Sequence, residues 1–270
     1  MIALLALLFS LSLALACSQP DPRAEAWSQH YQAGRSALGQ SRFAEAEQAL
    51  SRALSLAETF APDDPRYGRT AHQLAQLHVV RGELARAESL YQHLHKRQMA
   101  LPDDHPDKML TLDKLGDTYR LQQRPAEAAA LYDRVLAFQQ MHRGDEEVAA
   151  TMQKLSDLYR AQGDRAATDS LAQRAQALSL RARAQALFLQ GHYQQAAPLY
   201  HSALALQAGD HPDLARTCYY LGRLYDAQDR YRQAEHFYRR ALAASPASDP
   251  DQVSAALADL LARKAAADHP

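Results

Sequence analysis

The sequence predicts an all-α chain built from about six helical hairpins and a C-terminal capping helix, and three observations carry that expectation. Alanine, leucine, glutamine and arginine dominate, glycine and β-branched residues are scarce, and the only isoleucine is Ile2; such a composition favours helix over strand. Three segments repeat one another: LGDTYRLQQ from Leu115, LSDLYRAQG from Leu155 and LGRLYDAQD from Leu221. Each reads as a helix end followed by a turn. Six pairs of small residues also recur at a fixed interval of 12: Gly34 and Ala46, Ala75 and Ala87, Gly116 and Ala128, Ser156 and Thr168, Ala184 and Ala196, Gly222 and Ala234. Small residues let two antiparallel helices approach, so a pair that faces across a turn keeps a constant spacing. An ordinary bundle or coiled coil gives apolar residues three and four apart but no recurrence anchored on a turn.

Taken in order, the chain begins with an uncharged run from Ile2 to Ala16, interrupted by Ser10 and Ser12. It is shorter than the roughly 20 residues of a membrane span and reads as the apolar region of an export signal, residues 1–16. The segment Leu13-Ala14-Leu15-Ala16-Cys17 resembles a bacterial lipobox. That resemblance implies diacylation of Cys17 and, because Ser18 stands where an aspartate would signal retention, an outer-membrane lipoprotein facing the periplasm. Ala14-Leu15-Ala16 equally satisfies the small-x-small rule of ordinary signal peptidase, which would leave a soluble periplasmic or secreted chain, and a retained anchor is a third course. Only Cys17 and Cys218 are present, so no disulfide framework is expected, and Cys218 is expected to be a small buried apolar residue.

A short linker, 17–23, leads to the repeats. The segment Cys218-x2-Leu221-Gly222-x2-Tyr225, then Ala234-x3-Tyr238 and Pro246, resembles the tetratricopeptide repeat, with cysteine for its tryptophan and tyrosine for its phenylalanine. Asp63-Asp64-Pro65, DDHPD from Asp103 to Asp107, GDHPD from Gly209 to Asp213, and Asp249-Pro250 punctuate the chain. Aspartate caps a helix and proline suits its first turn. These linkers place most repeats about forty residues apart instead of about 34, which resembles the kinesin light chain style of the repeat and its HPD linker. The resemblance implies a superhelical solenoid. One interval is short: Thr168 and Ala196 are 28 apart, and residues 165–190 lack glycine and proline. Two helices there either run together or meet at a kink. This seam is expected to divide a four-repeat array, 24–180, from a two-repeat array, 181–248, with a cap and polar tail at 249–270.

No HExxH, GxSxG, CxxC, glycine-rich phosphate loop or calcium loop occurs. A net charge of −1 spread along the chain gives no footprint for nucleic acid. His93 and His95 point to different helix faces, His105 and His211 lie in linkers, and Asp103-Asp104 and Glu146-Glu147 match helix starts, so neither metal nor catalytic carboxylates are expected. Tyr91, Tyr119, Tyr132, Tyr159, Tyr200, Tyr225 and Tyr238 fall on packing positions. The stripe beside the packing face of each first helix would line a concave groove: Tyr31, Arg35 and Leu38; His72, Gln76 and Val79; Asp113, Asp117 and Arg120; Gln153, Asp157 and Arg160; Arg181, Gln185 and Phe188; Tyr219, Arg223 and Asp226. Local ion pairs such as Asp157 with Arg160 would equally suit a merely solvated face. The chain has no asparagine, so the carboxylate clamp of some members of the repeat family is disfavoured.

These readings imply a non-enzymatic adaptor that binds a protein or extended peptide, needs no cofactor or metal and takes no small-molecule substrate. An accessory subunit for cell-wall enzymes, touching glycan, is the rival, and an enzyme with an unrecognised site a third.

Overall fold

The computed structural model describes residues 21–142, 144–207, 213–244 and 250–268. The export signal and Cys17 lie outside them, as do His211 and most of the GDHPD linker. Among the described residues there are twelve α-helices, one short 3-10 turn and no strand. They are α1 (Pro22–Gly39), α2 (Phe43–Ala57), α3 (Pro65–Val80), α4 (Leu84–Arg97), the 3-10 turn Gln98–Ala100, α5 (Pro106–Leu121), α6 (Pro125–His142), α7 (Asp145–Gln162), α8 (Arg165–Leu189), α9 (Tyr193–Ala205), α10 (Leu214–Asp226), α11 (Tyr231–Ala243) and α12 (Pro250–Asp268).

Two helices start for the expected reason, whereas Asp213 stands before α10 without a side-chain cap bond. Asp21 accepts the N–H of Arg23 and Asp64 that of Arg66, each ahead of a proline at the first helical position. In the DDHPD linker the cap is not an aspartate: His105 Nδ1 accepts the N–H of Asp107 at 3.2 Å. His105 is therefore a structural cap. Asp145, Glu146 and Glu147 fill the first turn of α7, where the helix dipole favours them.

Each hairpin closes through one left-handed residue. Ser41, Gly82, Gln123, Gly163, Gly191 and Asp229 have φ between 54° and 81°, and each stands five residues before the second member of its small-residue pair. The next residue donates its N–H to the carbonyl five back, as Arg42 does to Ala37, Arg124 to Tyr119 and Arg230 to Tyr225. This Schellman closure satisfies the end of the first helix and aims the second back along it. All twelve paired residues are buried. A Cβ on Gly34 would stand 2.6 Å from Leu50 Cγ and one on Gly222 2.5 Å from the Tyr238 ring. Ser156 Oγ donates to the Thr168 carbonyl at 3.0 Å, a direct contact across the fourth hairpin.

The chain divides into two compact units between Leu131 and Tyr132, inside α6. The first unit is packed around Trp27, Ala53, Tyr67, Ala71 and Leu94 and, next along, around Ala46, Leu50, Leu74 and Leu77; Trp27 Nε1 donates to Thr70 Oγ1 at 3.0 Å. The second unit is packed around Met152, Ala175 and Leu178 and around Tyr200, Cys218, Leu221, Leu224 and Tyr238. Burial pushes the Cys218 thiol up to about 11, which leaves it an unreactive apolar filler.

The division does not fall at the seam expected between residues 180 and 181. There α8 is one continuous helix of 25 residues. Its first half packs on α7 as the second helix of the fourth hairpin, and its second half packs on α9 as the first helix of the fifth. Arg181, placed on the open stripe by its spacing, is 0% exposed. Its guanidinium forks onto both carboxylate oxygens of Asp145 at the start of α7 and reaches the Asp213 carbonyl at 3.0 Å and Thr217 Oγ1 at 3.1 Å around the start of α10. Arg181 thus ties α7 and α10 to the middle of α8 and is removed from the groove. Truncating one member of such a buried pair leaves the other uncompensated, at a cost of about 3–5 kcal/mol.

Candidate functional site

The stripe residues of the first unit lie on the open side of α1, α3 and α5. Tyr31 stacks on Trp27 at 5.0 Å with 13° between ring planes, and the Arg35 guanidinium lies 5.9 Å from the Tyr31 centroid. Gln76 and Arg120 are exposed, and Lys114 bridges Asp113 at 3.0 Å and Asp117 at 3.5 Å. His72 is largely buried. The hydroxyl of Thr111 donates to the Asp107 carbonyl, so His72 Nε2 must be the donor in its 3.2 Å contact with Thr111 Oγ1. Burial holds the imidazole down to about 4, so it is neutral at physiological pH.

Tyr31 and His72 open onto a cleft of about 410 Å³, within the range of ligand pockets. Asp63, Asp64, Pro65 and Asp107 of the capping linkers add to its walls, and with them stand residues the sequence did not single out: Tyr67 and Gly68 on α3, Leu94 and Arg97 at the end of α4, Gln98 and Leu101 around the 3-10 turn, and Leu110 on α5. Nothing in the repeat pattern marks them, and Gln98 and Leu101 lie in the connection between α4 and α5.

In the second unit, Gln153, Asp157 and Arg160 form a local chain on α7: Gln153 Nε2 donates to Asp157 Oδ1 at 3.1 Å, and Arg160 pairs with the same oxygen at 2.9 Å. The hydrogen bond and the ion pair are both exposed and of small energetic weight. Gln185 is partly buried. The last group is different. The Arg223 guanidinium lies 5.3 Å from the Phe188 centroid and 5.9 Å from that of Tyr219. With Asp226 these residues line a cleft of about 300 Å³, completed by Tyr238, Ala256, Asp259 and Arg263. Asp226 pairs with Arg263 at 2.8 Å, so α12 supplies one wall.

Among the described residues one triad has the spacing of metal ligands, Glu47, His78 and Glu83. Its carboxylates are engaged already: Arg81 bridges Glu47 and Glu83, Arg86 touches both, and His78 Nδ1 lies 2.7 Å from Glu83 Oε2. The His78 hydrogen bond holds the Glu83 carboxyl below its usual range. No helix of the described residues is long and apolar enough to cross a membrane.

The profile of the tetratricopeptide repeat family matches residues 24–97, 80–141 and 173–247. Among solved structures, the apo form of RapI aligns with a TM-score of 0.55 at 11% identity, covering 87% of this chain and 88% of that one. The nearly identical TPR-like repeats of a putative kinesin light chain from Podospora anserina align with a TM-score of 0.49 at 20% identity, covering 83% and 96%. BtubC (BKLC) from P. vanneervenii gives 0.49 at 19% identity, covering 92% and 87%. At 11% identity the likeness to RapI is one of fold. No curated protein matches the chain.

Proposed function

The chain belongs to the tetratricopeptide repeat family, and from that premise we propose that it is a protein-interaction adaptor, exported and lipid-anchored at Cys17 in a bacterial envelope. It receives a protein or extended peptide along the open stripe of its first helices. The observation that carries this reading is the cleft of Phe188, Tyr219 and Arg223. Tyrosine and arginine are the side chains most often found as interface anchors, and here a guanidinium stands against two aromatic rings at a partly open surface. Such a constellation offers cation–π and stacking surface to a partner side chain.

The test is a pull-down from solubilised envelope with the full chain and with Tyr219→Ala/Arg223→Ala. The double variant should weaken capture of the partner by about 2 kcal/mol, roughly 30-fold, with unchanged helical circular dichroism. Unchanged capture moves the site elsewhere on the chain. Retention on purified cell wall in place of one stoichiometric protein would favour an accessory role in wall metabolism. The anchor has its own test: Cys17→Ala should abolish labelled fatty-acid incorporation and release the protein from the membrane fraction.

A further inference from the structure

The cleft of the first unit carries more chemistry than a solvated face requires. Its floor is apolar, with Tyr67 and Leu94 buried and Leu101 and Leu110 at the sides, and Leu110 is left open to solvent. Two polar atoms at the wall have no partner. Gln98 is only 7% exposed; its Nε2 donates to the Asp107 carbonyl at 3.3 Å, while its Oε1 is buried and unbonded. Beside it, Arg97 lays its guanidinium 4.2 Å from the Tyr67 ring centroid and leaves Nε buried and unbonded. A buried polar atom without a partner costs about 1–3 kcal/mol, so the pair is a standing acceptor and donor in an apolar wall.

Gly68 is the second, independent observation. Unlike Gly34 and Gly222, it is not required by packing: a Cβ there would meet only Leu94 Cδ1, at an ordinary 3.8 Å. A glycine inside a helix destabilises it by about 0.5–1 kcal/mol relative to alanine. At position 68 its effect is to keep the floor of the cleft clear.

We propose that this cleft receives a large uncharged side chain of an extended peptide, with a peptide group beside that side chain donating to Gln98 Oε1 and accepting from Arg97 Nε. An amide offers one donor and one acceptor, which is what the wall lacks. The rim does not select a charge. Asp63 and Asp107 are offset by Arg69 and Arg97; Asp64, the third carboxylate of the lining, already accepts the Arg66 N–H and faces the Arg66 guanidinium at 3.6 Å, and His72 adds no charge. The proposal rests on the reading that the stripe takes a peptide and names the chemistry that one cleft selects.

The experiment is an array of hexapeptides covering every central residue, probed with the full-length wild-type chain, Gly68→Leu, Gly68→Ala and Tyr219→Ala/Arg223→Ala at low and high salt. Peptides centred on phenylalanine, leucine or methionine should be retained, with little change between salts. Gly68→Leu should weaken them about ten- to hundredfold by filling the space of one apolar side chain, and Gly68→Ala, which keeps most of that space, should leave retention intact. Retention lost only in the Tyr219→Ala/Arg223→Ala variant would overturn this cleft as the site while leaving the wider peptide reading standing. A preference for charged centres, or retention that collapses with salt, would overturn the chemistry. No retention by the wild-type chain would overturn the peptide occupant, and the pull-down of a folded partner would then decide the adaptor reading alone.

Discussion

Gly222 and His72 show how a single position acts through its surroundings. A methyl group on Gly222 would stand 2.5 Å from the ring of Tyr238, itself buried and unable to retreat. Gly222→Ala should therefore overpack the crossing of α10 and α11 and destabilise the second unit by about 1–3 kcal/mol, read as a lower urea midpoint. His72 acts through a proton. Its folded pKa is about 4 against an ordinary 6.5. Between those values the unfolded chain takes up a proton that the folded chain refuses, so stability is complete above pH 6.5 and falls as pH drops toward 4. The variant His72→Gln does not titrate and should flatten that decline by about 2–3 kcal/mol, measured by urea unfolding near neutrality and near about pH 4.5; parallel curves for the two proteins would refute it. Legibility at this scale follows range. The small-residue pairs are readable because both partners belong to one hairpin and their spacing is fixed by its geometry. Arg181 is not, since its partners Asp145 and Thr217 are each 36 residues away, and no local pattern separates a buried arginine from one on an open stripe.

Hairpin turns are the clearest features at the scale of elements. Three of the six left-handed positions are glycine and three are Ser41, Gln123 and Asp229. A side chain there costs about 1–2 kcal/mol in backbone strain, least for aspartate, which can bond locally. Gln123→Gly should consequently stabilise the α5–α6 hairpin by about 0.5–1 kcal/mol after the loss of unfolded-state restriction is subtracted, visible as a raised melting temperature; a neutral or lowered value would mean that the Gln123 side chain contributes more than its strain. The sequence shows where these turns lie, because they sit at a constant distance from the small residues. It leaves the continuity of α8 open. Absence of glycine and proline from residues 165–190 permits one helix and equally permits a kink; what holds the helix straight is tertiary, α7 and α9 packing on its two halves with Arg181 at the middle. The candidate clefts are legible only in part for the same reason. Tyr31, His72, Phe188, Tyr219 and Arg223 come from helix periodicity, whereas Gln98 and Leu101 come from a linker and Arg263 from the cap, and these meet the stripe only once the helices have stacked.

A molecule of stacked hairpins is stabilised by contacts between neighbours, so a local loss should stay local. The cap tests this. α12 packs on α11, buries Val253 and Leu260, and sends Arg263 to Asp226 and Lys264 to Glu235. Removing residues 250–270 would expose the faces of α10 and α11 that Val253 and Leu260 cover, at about 1.5–3 kcal/mol for each large apolar side chain concerned. The ion pairs, partly exposed, add little. Hydrogen exchange on the truncated chain should accelerate through α9, α10 and α11, while amides of α1 to α4, which belong to the first unit, keep their protection. The same truncation removes one wall of the Phe188, Tyr219 and Arg223 cleft, so partner capture at that site should fall even where α10 stays folded. Uniform loss of protection across all helices would show instead that the chain unfolds as one cooperative body, and the division between Leu131 and Tyr132 would then have no energetic counterpart.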